Sequence, residues 1–276
     1  MAELLPALLG VAVGLVLGLT GAGGSILAVP LLMWGLHWTL PQAAPIALLA
    51  VFGAAAFGTL AAWDAAFVRY RAALLMGAAS LLTAPLGLAA ARALPLHVLL
   101  PLFGALMLLV ALRLWLQAQR RPEEARVVRA TVAGEGPPAR GHLCELNARG
   151  RIVWTPRAAA AIAAIGALTG FVSGLFGVGG GFVIVPALRA LTPLSMHSAV
   201  ATSLMAIALI AAGTFLIAQV GGVPTDWAAA APFAAGALAG MLGGRGLARR
   251  LAGPALQRGF ALLMTVVAVR LLLQSF

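Results

Sequence analysis

The sequence predicts an all-α, polytopic membrane protein of two inverted repeats with five elements each, the first two of each repeat forming a Gly-tipped hairpin. Three observations carry this. First, 62% of the 276 residues are hydrophobic and only 9% are charged, with a mean hydropathy of +1.04. A soluble domain carries about 25% charged residues, so no water-facing surface can be built over this length. Second, apolar runs of helical length recur from Leu4 to the C-terminus. They lack the polar–apolar alternation of a membrane barrel. Third, one glycine–proline pattern occurs twice. Gly14, Gly18, Gly21, Gly23, Gly24 and Pro30 meet Gly170, Gly174, Gly177, Gly179, Gly180 and Pro186 at a constant offset of 156. Ala111–Leu116 likewise resembles Ala268–Leu273 at offset 157, so the duplication spans nearly the whole apolar region.

The first repeat, 1–116, holds apolar stretches at about 4–19, 25–38, 43–62, 70–91 and 96–116. The second, 158–276, holds them at about 158–173, 181–191, 198–219, 227–247 and 256–275. Residues 117–157 differ, with eight Arg, four Glu and Pro137-Pro138. They read as a soluble connector, with a small strand pair around Leu143–Val153. Cys144 is the only cysteine, which excludes an intrachain disulfide. Glu3 and no Arg precede the first run, so it lacks the basic start of a cleaved signal peptide and is expected to stay.

All 18 basic residues are Arg, against seven acids. Their scatter over loops argues for a topological role and against nucleic-acid binding. The connector is then cytoplasmic. So are the loop carrying Arg69 and Arg71 and the segment Arg245–Arg258, whereas the Arg-free 220–226 lies outside. That pattern inverts between halves, which requires an odd number of elements per half. Five works if the first two stretches return to their own side. The short arms of 16 and 14 residues, ~24 and ~21 Å of helix, fit a hairpin that turns back before crossing a ~30 Å core. Arg270 is an exception near an outer helix end.

Short, Gly-interrupted segments at matching positions point to a binding site. A helix that starts inside the membrane has four unpaired N–H groups and about half a positive charge at its end, and an anion satisfies both. Candidate ligands of the anion are Thr20, Gly21, Gly23, Gly24 and Ser25 in the first turn and Gly177, Gly179, Gly180 and Gly181 in the second. Gly14, Gly18, Gly170 and Gly174 read instead as small-xxx-small packing positions. Ser198, Thr202 and Ser203 open the helix after the second hairpin and either line the site or bond their own helix. Their first-half counterparts are Gln42, Ile46 and Ala47, so this cluster is one-sided. His37 and His197 flank the hairpins and read as interfacial.

No acid lies in the middle of an apolar stretch, which disfavours cation sites and carboxylate proton relays. No catalytic motif, metal-ligand cluster or P-loop occurs, so no enzyme, cofactor or metal is expected. A glycine run without a preceding strand and with the wrong spacing is not a dinucleotide fingerprint.

At these residues the sequence resembles the TauE/SafE family, the sulfite exporter and sulfonate uptake permease group. Gly166–Pro186, ending Gly-Leu-Phe-Gly-Val-Gly-Gly-Gly-Phe-Val-Ile-Val-Pro, resembles the family signature, and Ala201-Thr-Ser-Leu204 resembles its Thr-Ser element. The first half departs from both, with Pro45-Ile-Ala47 and Ser25 in the corresponding places. The resemblance implies a secondary carrier of sulfite, organosulfonates or related organic anions. Its partners are then the small anion and the bilayer, with self-association left open. The alternative is a non-transporting membrane scaffold or the subunit of an intramembrane enzyme.

Overall fold

The computed structural model describes residues 4–20, 23–61, 68–120, 153–192, 194, 196–251 and 254–273. Ten α-helices and no strand occur among them. They are α1 (Leu4–Thr20), α2 (Ser25–Leu36), α3 (Leu40–Leu60), α4 (Tyr70–Ala93), α5 (Leu96–Arg120), α6 (Pro156–Phe176), α7 (Gly181–Leu191), α8 (Met196–Val220), α9 (Trp227–Leu251) and α10 (Pro254–Leu273). Six of the described helices are long and apolar enough to cross a membrane, while α1, α2 and α7 are shorter apolar helices. The protein is a multi-pass, all-helical membrane protein.

Local chemistry sets the helix ends. Thr39 caps α3: the Gln42 side-chain oxygen accepts from the Thr39 N–H and from its hydroxyl, each at 3.0 Å. Thr155 caps α6 by accepting from the Ala158 N–H at 3.1 Å. These caps start both helices ahead of the apolar runs. At its far end α6 continues past 173 to Phe176, where Gly177 at φ 72° stops it. Its 21 residues make ~31 Å of helix. The expectation that each hairpin is too short to cross therefore fails for this arm. Apolar content marked 158–173, but the cap and the left-handed glycine decide the length. Helix occupies the ends of 117–157; the strand pair around Leu143 and Cys144 falls outside the described residues, and Val153 has no regular structure.

Glycines decide which helices meet. The rows Gly10, Gly14, Gly18 of α1 and Gly236, Gly240, Gly244 of α9 interlock. A methyl at Gly14 would overlap the Ala237 carbonyl, and one at Gly240 the Val11 carbonyl. Contacts advance together, Gly10 to Phe233 and Gly18 to Met241, so α1 and α9 run parallel. The pair α6–α4 repeats the arrangement: Gly166 lies on Met76, Gly170 on Ser80 and Gly174 on Ala84. Lipid tails are as apolar as Leu, so helix association in a bilayer depends on such close backbone approach.

Exchanging the halves maps every substantial helix contact onto another. The pairs α1–α9, α3–α9, α1–α2 and α2–α3 become α6–α4, α8–α4, α6–α7 and α7–α8, while α3–α8, α5–α10 and α2–α7 map onto themselves. The third helices run antiparallel. Gly58, near the end of α3, meets Leu204 near the start of α8, and Val51 lies with Ile207 and Ala211 around Gly179. Arg92 of α4 donates to the Gly221 carbonyl at the end of α8 (2.7 Å), and Arg245 of α9 to the Gly58 carbonyl near the end of α3 (2.9 Å). Each places a cation where a helix end is negative.

Candidate functional site

The first turn reverses the chain. Gly24 packs on the backbone of Val16 and Leu17, and Gly35 on the Leu9 side chain, so α2 runs back along α1. Thr20 clamps the turn: its hydroxyl donates to the Val16 carbonyl (2.8 Å) and accepts from the Gly24 N–H (3.2 Å). Gly23 faces the Phe260 ring, and Ser25 is fully buried at the start of α2. Gly24 has φ −67°, an ordinary helical value. Gly21 lies outside the described residues.

The second turn is built differently from matching letters. Gly177, Gly179 and Gly180 have φ of 72°, 71° and 69°. In an L-residue with a side chain that region costs about 1–2 kcal/mol. The Gly177 N–H closes α6 on the Ser173 carbonyl (2.8 Å), and the Gly180 carbonyl accepts from the Val183 N–H (3.1 Å). Gly180 lies against Thr169, so α7 returns beside α6. Gly181 is buried as the first residue of α7. A Cβ on Gly179 would stand 2.9 Å from Val51 Cγ1, 3.7 Å from Ala211 Cβ and 3.8 Å from Ile207 Cγ2. Those residues are the midpoints of α3 and α8, so the turn sits halfway through the bundle. The two short helices α2 and α7 also touch each other.

The one-sided polar cluster divides. Ser198, Thr202 and Ser203 are all buried. Thr202 stands at the start of α4, where its hydroxyl accepts from the Arg69 N–H at 3.0 Å. Ser203 donates to the Val200 carbonyl of its own helix (2.8 Å), but it lies one turn before Ile207 on the face that meets the glycine turn. Ser198 is nine residues, ~13 Å of helix, from Ile207. Of the three, Ser203 belongs closest to the turn. His37 is exposed at the end of α2, and the His197 side chain lies outside the described residues.

Three polar residues beside the turn escaped the reading of the sequence. Thr169 and Ser173, one helical turn apart on α6, are fully buried. Thr169 donates to the Ile165 carbonyl (2.8 Å), and the Ser173 hydroxyl pairs with that of Thr214 on α8 (3.2 Å). The signal was their i, i+4 spacing inside Gly166–Pro186, where the first half has Val13 and Leu17. Among the described residues the one acid is Asp226, which caps α9 by accepting from the Ala228 N–H (3.0 Å). No group of possible metal ligands occurs among them. A helix start carries partial positive charge, and no carboxylate among the described residues offsets it at this turn.

These environments separate two substitutions. Thr202→Val strands the Arg69 N–H, an expected loss of about 1–3 kcal/mol of stability. Its melting temperature should fall with anion affinity unchanged. Ser203→Ala should keep the melting temperature and weaken anion affinity. Paired melts and titrations with sulfite check both.

The chain matches the sulfite exporter TauE/SafE family over residues 6–271. It belongs to that family. A probable membrane transporter protein of Xylella fastidiosa strain 9a5c is 35% identical over 274 residues, covering 96% of this chain and 92% of that one. One from strain Temecula1 is 34% identical with the same coverage. No solved structure matches significantly. The family match and these relatives make the chain a TauE/SafE-type membrane transporter and point away from an enzyme.

Proposed function

We propose that this protein is a secondary carrier of small anions, sulfite or organosulfonates, across a bacterial inner membrane. The anion is held at the N-termini of α7 and α2, with Gly179, Gly180 and Gly181 as the principal backbone contacts. The observation that carries this reading is the second turn: three glycines at positive φ start a helix at the midpoints of α3 and α8. The lack of nearby acids among the described residues, and the family match, support it. Purified protein in liposomes should pass sulfite and sulfoacetate. Flux of choline or glucose with both anions inert would overturn the reading.

The proposal includes a topology. The repeats are inverted across the bilayer, with 117–157 and 245–258 cytoplasmic and 220–226 outside. The antiparallel α3–α8 pair and the symmetric contacts support this. In a Cys144→Ser background, Gly246→Cys and Val223→Cys should label with an impermeant thiol reagent from opposite faces. Labelling from one face would sink the inverted arrangement.

A further inference from the structure

Away from the glycine turns, the protein contains a cavity of about 320 Å³ lined by Met33, Trp34, His37, Trp38 and Arg270. Its volume is in the range of small-molecule pockets, which run from about 300 to 1,000 Å³. It lies at the end of the bundle away from the connector: Gly104, early in α5, packs on Leu272 and Ala268, sixteen residues before Arg120, ~24 Å of helix.

The lining combines what an organic anion requires. The Arg270 guanidinium lies over the Trp34 ring, 5.3 Å from its centroid, which fixes a cation at the cavity wall. The Trp34 indole N–H is buried and has no hydrogen-bond acceptor. A buried donor left in that state is rare in folded proteins and asks for a partner. Met33 and Trp38 add apolar surface. His37, at φ 55°, is the one non-glycine residue with positive φ among the described residues. It is the left-handed C-cap of α2 and ends that helix at the cavity.

The cavity also shares a seam with the first glycine turn. Phe260 of α10 touches Gly23 beside the start of α2, and Arg270 of α10 lies over Trp34 near its end. Ten residues of α10, ~15 Å of helix, separate the two points.

We propose that this cavity is a second anion site, which takes an oxyanion carried on an organic group, a sulfonate or carboxylate. Arg270 binds the charge, the Trp34 N–H donates to one oxygen, and Trp38 and Met33 cover the organic part. The site is separate from the turn and does not depend on the turn's being a binding site. A lipid phosphate offers the same oxyanion chemistry, so the test distinguishes the two sources.

The test is calorimetric titration of benzenesulfonate into the full chain in phosphatidylcholine nanodiscs. Arg270→Gln should weaken binding at least tenfold, and Trp34→Phe, which keeps the ring and removes the N–H, about fivefold. The titrations are made in Gly180→Val as well as in the wild type: binding at the turn is lost there and the Arg270-dependent binding should remain, so failure of the turn site and failure of this one are distinguishable. Binding should persist within about twofold when phosphatidylglycerol is added to the discs. Wild-type affinity in both Arg270→Gln and Trp34→Phe would overturn the site. So would no binding by the wild type, or displacement by phosphatidylglycerol, which would make the occupant a lipid headgroup. Should Arg270→Gln not fold, the Trp34→Phe result decides.

Discussion

Gly180→Val is expected to reduce sulfite flux in liposomes to the level of protein-free vesicles. Valine at φ 69° carries about 1–2 kcal/mol of backbone strain. Its Cβ would also stand 2.8 Å from Thr169 Cβ, so the turn must shift away from α6. The start of α7 then moves from the midpoints of α3 and α8, and the N–H groups lose their aim. Gly179→Ala is the gentler companion. Its one tight neighbour is the Val51 side chain at 2.9 Å, so it should insert normally and lower flux without removing it. Wild-type anion affinity in both variants would show that the turn serves packing alone. Gly24→Val is not a matched control, although it occupies the corresponding position. Gly24 is helical at φ −67°, and its Cβ would run into the Leu17 backbone. That substitution should cost folded yield rather than selectivity.

The second large effect is on stability. Gly170→Ala places a methyl within the Ser80 backbone, where no rotamer change relieves it. The α4–α6 pair must separate, at an expected cost of about 1–3 kcal/mol. Gly14→Ala should cost a similar amount at the α1–α9 pair, where the methyl meets the Ala237 carbonyl. Gly243→Ala is the contrast: a Cβ there meets nothing within 4 Å, and alanine in a helix gains roughly 0.5–1 kcal/mol over glycine. Thermal melts of the three in one detergent check the order. Equal melting temperatures for Gly170→Ala and Gly243→Ala would show that the close α4–α6 approach is not what holds these helices.

The ten elements were legible because each is an apolar run of helical length, and a bilayer permits almost nothing but helix for such runs. The glycine repeat also pointed to the chain reversals. What the repeat could not convey is conformation. Gly24 and Gly180 share a position in the pattern, yet one is helical and the other left-handed. A letter restricts the dihedrals a residue can adopt and does not choose among them. Small-xxx-small spacing announced that Gly14 and Gly170 approach something closely. The partner helices carry small-xxx-small rows of their own, Gly236, Gly240 and Gly244 in α9 and Ser80 and Ala84 in α4, but spacing alone does not say which row meets which. The hydroxyls were ambiguous for a related reason. In an apolar helix a serine that bonds its own backbone and a threonine that caps a neighbour look alike, so Thr202 and Ser203 separated only when Arg69 was found beside one of them. Thr169 and Ser173 were masked by the glycines around them, which drew attention to the turn and away from the helix leading into it.

The exchange of helices between halves has a consequence for biogenesis. α1 finds its closest neighbour in α9, more than two hundred residues further along the chain. At ~5–20 residues per second, a ribosome takes roughly 10–45 s to deliver that neighbour. Through this interval the bare glycine face of α1 has only lipid or a chaperone against it. The α4–α6 groove, whose members are separated mainly by the connector, closes well before the α1–α9 groove does. The second half thereby completes the first, and α5 is completed later still, because its partner α10 is the last helix to be made.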